Sequence, residues 1–231
     1  MIHQDAFFKG TEGYVGTPEE CRILFLLREP NCGENKIVQP NEFWLKSVAA
    51  GEKKPLSNCY LSKLGTFAAL LQRKGPIKKK DEEAWKEALQ HTVYVNVNPV
   101  SGKGTASKEY KDAVEFFAQT VLQPEEISPQ GFKSRWKAIY EMPDQSTIVT
   151  VRDVFTRMYK TLNQAGMIVE CPTRVNLTIR TKEGIRHMRS LQFRHENKTF
   201  TDLEIYHPAA RGNQEYQYCD ISISHHPAWS E

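Results

Sequence analysis

Two hydrophobic rhythms alternate along the chain. "CRILFLL" (21–27), "TVYVNV" (92–97) and "STIVTV" (146–151) are short apolar runs bounded by polar residues. The first fits a strand covered on both faces, and the other two predict a second and a third strand. Between them the apolar positions recur every three or four residues. "SNCYLSKLGTFAALLQRKG" (57–75) places Leu61, Leu64, Ala68 and Leu71 on one helical face, starts at Ser-Asn and stops at Gly75. "SKEYKDAVEFFAQTVL" (107–122) repeats the pattern through Tyr110, Val114, Phe117 and Val121, with Ser107 as its N-cap. "RDVFTRMYKTLNQAG" (152–166) turns Val154, Met158 and Leu162 inward, with Gly166 at its C-terminal cap. "VNLTIRT" and "IRHMRSLQFR" flank Lys182-Glu183-Gly184 and predict a β-hairpin, and "LEIY" (203–206) predicts the last strand.

Strands alternating with helices predict an α/β domain with a largely parallel sheet. The 231 residues suit one domain spanning 1–231, with its core over about 21–213. The basic hairpin at about 174–198 is an insertion on that core. No internal repeat or low-complexity segment is present. Residues 123–145, rich in Pro and charge, are the weakest place in the chain, and "GFKSRWKAIYEM" (131–142) within them predicts a short helix.

Composition excludes several classes. No apolar run approaches the ~20 residues of a membrane span, so no membrane partner is expected. The N-terminal "MIHQDAFFKGTEGYVG" has neither a basic flank nor an apolar centre, which predicts no signal peptide. Five widely spaced cysteines without a CxxC argue for reduced thiols in a cytoplasmic, or in a eukaryote nuclear, compartment. His225-His226 has no carboxylate or Cys at ligand spacing, so no metal is expected. GxSxG, HExxH and GxGxxG are absent, and no cofactor is implied. The net charge is only +3, but it is clustered. "RKGPIKKK" (73–80) holds five basic residues and no acid, and 174–198 holds seven against Glu183 and Glu196. Such stretches are either solvated surface or phosphate-binding surface.

The strand ends carry the candidate chemistry. The first predicted strand runs into Glu29-Pro30-Asn31, the second into Asn96, Asn98 and Pro99, and the last into His207-Pro208. Proline lacks an N–H and ends the ladder, and it holds the residue before it extended. A carboxylate, an amide and an imidazole are thus each presented just past a strand. In an open α/β sheet the ligand crevice lies outside the carboxyl ends of the strands.

In this order the three segments resemble the uracil-DNA glycosylase superfamily. "LLREPN" is similar to its first motif, a Gly-x-Asp-Pro or Gly-x-Asn-Pro after a strand, with Glu29 at the catalytic position. "VYVNVNPVSGKGTASKEY" resembles the family's strand, loop and helix, with Asn96 at the base-reading position. "STIVTVRDVFTRM" resembles its third strand and helix, and "YHPAARGN" its closing His-Pro-Ser, with His207 matching the catalytic His. The resemblance implies a three-layer αβα sandwich with a mainly parallel central sheet. Three positions depart from the pattern. Arg28 stands where a glycine is usual, Glu29 is one methylene longer than Asp, and Ala209 replaces the serine.

The resemblance implies hydrolysis of the N-glycosidic bond of a uracil or other deaminated or damaged base, flipped from DNA into a pocket. Glu29 would orient water or stabilise the sugar cation, and His207 would hydrogen-bond the departing base. Asn96 would pair with the base edge as donor and acceptor at once, beside Pro30 and Asn31. Phe43 and Trp44 are candidates to stack on the base. Ser101 and Lys103 in "SGKGTAS", with Arg211, would hold DNA phosphates. Two other readings stay open. One is a non-catalytic nucleic-acid- or nucleotide-binding protein on the same fold, and the other a hydrolase of a small nucleoside or nucleotide.

Overall fold

The computed structural model describes residues 13–15, 19–28, 64–65, 67–69, 71–72, 81–97, 108–124, 135–181, 184–205 and 223–224. Three all-buried strands sit where the uninterrupted apolar runs predict them: β2 (Ile23–Leu27), β3 (Thr92–Asn96) and β4 (Thr147–Val151). With β7 (Lys198–Ile205) they form a parallel block in the order β3-β2-β4-β7. A parallel strand buried on both faces needs apolar side chains on both, which is why these runs do not alternate.

The sheet continues antiparallel at both edges. β1 (Gly13–Val15) pairs with β3. On the other side β6 (Gly184–His195) pairs with β7, β5 (Ile168–Thr181) with β6, and β8 (Ile223–Ser224) with β5, giving eight strands. The expected hairpin is present, β5 and β6 pairing antiparallel up to Thr181 and Gly184, and it extends the central sheet. Its first strand starts at Ile168, and the final strand starts at Lys198, ahead of "LEIY". A two-residue turn at Glu196-Asn197 joins β6 to β7, with Glu196 at φ 52°. Glu in a left-handed position carries no turn signature, so the sequence gives no hint of it.

Two long helices cover one face. α2 (Lys108–Gln119) and α4 (Arg152–Gln164) bury the residues their periodicity selects: Tyr110, Val114, Phe117, Val154, Met158 and Leu162. These share a core cluster with Leu24, Leu26, Val93, Val95, Ile148, Phe193 and Phe200 on the sheet. Each such side chain fully withdrawn from water contributes roughly 1.5–3 kcal/mol. α4 ends as the sequence predicts. Gly166 takes φ 68°, its N–H bonds to the Asn163 carbonyl (3.1 Å), and the Met167 N–H bonds to that of Leu162 (2.9 Å).

In the described part of the segment 123–145, residues 135–145 are held firmly. α3 (Trp136–Glu141) lies inside it, and Trp136 is fully buried. The indole N–H donates to the Phe117 carbonyl (2.6 Å), and the ring stacks on Phe117 with centroids 4.7 Å apart. Tyr140 donates its hydroxyl proton to the Val121 carbonyl (2.7 Å). The segment is therefore pinned to the end of α2 by its aromatics.

On the opposite face Ile23, Phe25, Tyr94 and Val149 are equally buried, and Phe25 stacks on Tyr94 at 5.2 Å. Leu64, Gly65, Phe67, Ala68, Ala69 and Leu71 are helical, within the predicted 57–75 helix. Gly65 lies against α1 (Glu82–Ala88), a helix capped by the Asp81 side chain on the Ala84 N–H (3.2 Å). Among the described residues no helix is long and apolar enough to cross a membrane.

Candidate functional site

Register decides where the strand ends fall. Leu27 pairs with Asn96, Leu26 with Thr150, and Val151 with Ile205. Leu27, Asn96, Val151 and Ile205 thus form one row across the four parallel strands. One position past that row the chain carries Arg28 and Arg152. Two positions past it stand Glu29, Asp153 and His207. β2 leads to β3 on one side, while β4 lies on the other. The strand order therefore reverses between β2 and β4, and that crevice is where such sheets bind ligands.

Arg28 and Asp153 meet across this crevice. The Arg28 Nε donates to Asp153 Oδ1 (3.3 Å), and a terminal guanidinium nitrogen lies 3.3 Å from Oδ2. Tyr110 on α2 donates its hydroxyl proton to the same Oδ2 (2.9 Å), and the Arg28 guanidinium lies 5.8 Å from the Tyr110 ring centre. Three segments far apart in sequence are thus tied to one carboxylate. That carboxylate also sits in the first turn of α4, where the helix dipole favours negative charge. Arg28 and Asp153 are each about one-third or more exposed, so their pair contributes at most ~1 kcal/mol and is open to exchange.

A second polar cluster lies one strand over. Arg189 on β6 forks onto Glu204 on β7, Nε to Oε2 at 2.8 Å and a terminal nitrogen to Oε1 at 2.9 Å. It also donates to Thr156 Oγ1 (3.2 Å) and covers the Phe155 ring at 4.8 Å. The hydrogen bond to Glu204 raises the Arg189 pKa still further. The Arg152 Nε lies 3.7 Å from Glu204 Oε1. Below it Asp202 is fully buried and accepts from Thr150 Oγ1 (2.8 Å). Burial holds its carboxyl well above the usual carboxylate range; the Glu204 charge adds to this, and the Thr150 hydroxyl and Arg189 oppose it.

Together these ends open onto a cleft of about 590 Å³. Among the described residues Arg28, Arg152, Arg157 and Lys160 line it with Tyr159, Thr156 and the Asp153 carboxylate, while Glu204 and Glu115 pair with Arg152 and Arg157. Four cations against three carboxylates suit a ligand carrying phosphate or carboxylate groups.

Of the predicted site residues, Asn96 is the one described. It closes β3 at 3% exposure, and its carbonyl accepts from the Nε of Arg135, itself buried. Glu29, Pro30, Asn31, Phe43, Trp44, Ser101, Lys103, His207 and Arg211 lie outside the described residues, as does the basic run 73–80. Within 174–198 two of the basic residues have partners inside the protein. Arg189 is held by Glu204, and Lys198 donates to the Tyr140 and Met142 carbonyls (2.8 and 3.0 Å) at the end of α3. Asp153, Arg152, Arg157 and Lys160 are absent from the residues the strand ends nominate. A usable signal exists in the sequence: they form the polar face of the helix whose apolar face the periodicity selects.

Among the described residues no group of three His, Cys, Asp or Glu side chains is placed to hold a metal ion. Compared with known proteins, the chain matches no family model, no curated protein and no solved structure.

Proposed function

We propose that the chain is a divergent uracil-DNA glycosylase-like hydrolase that cleaves the N-glycosidic bond of a flipped uracil or other deaminated or damaged base. The observation that carries the reading is the row formed by Leu27, Asn96 and Ile205. Glu29 and His207 each follow that row by two positions in the chain, and Asn96 lies in it. The strands from which these three chain segments continue thus end in one row, beside the crevice where the strand order reverses, and that supports reading a carboxylate, an amide and an imidazole as one site.

In the reaction, water adds to the sugar carbon as the bond to the base nitrogen breaks, and that bonding pair leaves with the base. Glu29 orients the water and stabilises the positive charge on the sugar. His207 donates a hydrogen bond to the oxyanion on the departing base, a type of interaction whose removal costs roughly 3–4 kcal/mol in comparable sites. Asn96 reads the base edge, Phe43 or Trp44 stacks on it, and Ser101, Lys103 and Arg211 hold phosphates. The excess of cations around the cleft also favours a second reading, a nucleic-acid-binding protein without chemistry on the same fold.

The test uses oligonucleotides carrying a single uracil, hypoxanthine, xanthine or thymine mismatch. Alkali-labile breaks at one lesion, lost in His207→Ala and in Glu29→Gln, are the expected result. Wild-type protein that leaves every lesion intact overturns the glycosylase reading, and DNA binding that persists without breaks moves the assignment to the second.

A further inference from the structure

We infer that the outward face of α4, together with Arg28, is a docking track for the phosphodiester backbone of DNA. This surface is distinct from the loops the sequence nominates for phosphate. The inference shares with the glycosylase reading only the identity of the ligand. Its basis is the charged cleft at the reversal of strand order. Arg152 and Arg157 have side chains 70% and 47% exposed, Lys160 is exposed, and Arg28 reaches the same cleft from β2.

Spacing supports a linear polyanion over a small one. Arg152, Thr156 and Lys160 recur at four-residue intervals, so they span about 12 Å along the helix axis. At ~3.4 Å of rise per nucleotide in one strand, that length faces three to four phosphates. Three carboxylates touch the track. Asp153 pairs with Arg28, Glu204 lies 3.7 Å from Arg152, and Glu115 lies 3.2 Å from Arg157. Glu204 is already forked by Arg189, so releasing Arg152 leaves no carboxylate bare. The Glu115–Arg157 pair is half-exposed, and such pairs contribute ~0–1 kcal/mol, so a phosphate replaces the partner at little cost. The hydroxyl of Thr156 adds a neutral donor between the cations.

The experiment measures binding of a fluorescein-labelled DNA 20-mer, as single strand and as duplex, across a salt series. Wild type is compared with Arg152→Gln/Arg157→Gln/Lys160→Gln. All three side chains are exposed, so the fold should tolerate the change. Arg22→Gln, an exposed cation at the opposite ends of the strands, is the control. Each phosphate that no longer meets a cation lowers the slope of log affinity against log salt by about 0.7–0.9, so the slope of the triple variant should be shallower by about 2–3. Its affinity at low salt should fall on the order of tenfold or more, while the control keeps the wild-type slope. A triple variant with wild-type slope and affinity overturns the inference even if lesions are cleaved. A shallower slope in a protein that cleaves no lesion supports the track and overturns the glycosylase reading alone. No salt-dependent DNA binding by wild type overturns both.

Discussion

Asp202→Asn isolates one buried acid. Its cross-strand neighbours are Ile148 on β4 and Leu191 on β6, both apolar and fully or almost fully buried. Oδ1 accepts the Thr150 hydroxyl proton, and Oδ2 has no hydrogen-bond partner among the described residues. An ionised carboxylate here would have lost its hydration without a matching cation, because Arg189 is committed to Glu204. The folded chain therefore keeps the proton on Asp202 at pH values where the unfolded chain, ionising near 3.9, has released it. With the native state binding more protons than the unfolded state, stability falls as pH rises. The slope from this one group approaches roughly 1.4 kcal/mol per pH unit, beginning near pH 4 and ending at the folded-state value. An amide at the same place keeps the Thr150 bond and cannot titrate. Urea unfolding of wild type and Asp202→Asn at pH 5 and pH 6 should give stabilities that diverge in favour of the variant, by up to about 1.4 kcal/mol over that unit. For a chain of this size that is a melting shift of roughly 3–6 °C. Parallel pH profiles for the two proteins would refute a protonated, buried Asp202.

Three further perturbations have definite expected outcomes. Burial, with Glu20 and Glu19 nearby, pushes the Cys21 thiol up to about 12, whereas Cys171 is exposed. Iodoacetamide at pH 8 followed by peptide mapping should find Cys171 modified and Cys21 protected until the chain unfolds, and equal labelling of both in the folded protein would contradict the packing around β2. At Gly65 an added Cβ would lie 2.6 Å from the Trp85 Cβ and 2.7 Å from its carbonyl oxygen. Gly65→Ala must push α1 away and should cost about 1–3 kcal/mol, read as a melting point several degrees lower; an unchanged melting point argues against that close approach. Arg189→Ala leaves the nearly buried Glu204 with only the distant Arg152, at a cost of about 1–3 kcal/mol in urea unfolding, toward the lower end because Arg189 is itself 38% exposed. Arg189→Lys should recover little of it, since one ammonium cannot replace the fork, and full recovery would place the stabilisation in charge alone.

The parts of the fold legible in sequence are those where one local signal suffices. β2, β3 and β4 announce themselves because burial on both faces keeps charged residues out of these runs and leaves only Thr and Asn among the apolar positions. α2 and α4 do so because one stripe of apolar side chains repeats every turn. The antiparallel wing is harder. β5 has register shifts between Ile168 and Glu170, between Glu170 and Thr173, and between Val175 and Ile179, so its pairing does not run in one register. The turn at Glu196 uses a residue that turns do not favour. α1, "EEAWKEA", buries little besides Trp85 and Ala88 and so lacks a periodic signature, although Asp81 is a recognisable cap.

The candidate site is legible in the same uneven way, for a related reason. Proline after a strand marks where a ladder stops, and it draws attention to Glu29, Asn96 and His207, of which Asn96 is described and closes β3. Asp153 occupies the equivalent position after β4, two residues past Val151, but a helix begins there at once and no proline marks it. Its partners are equally hidden in sequence: Tyr110 is 43 residues away and Arg28 is 125. Arg152, Arg157 and Lys160 escape notice because periodic apolar positions mark only the face of α4 that touches the core. The opposite face of that helix has the same period and the opposite chemistry. In this chain the face that meets solvent at the carboxyl edge is where charge gathers, so the helix that closes the core also supplies the cations of the cleft.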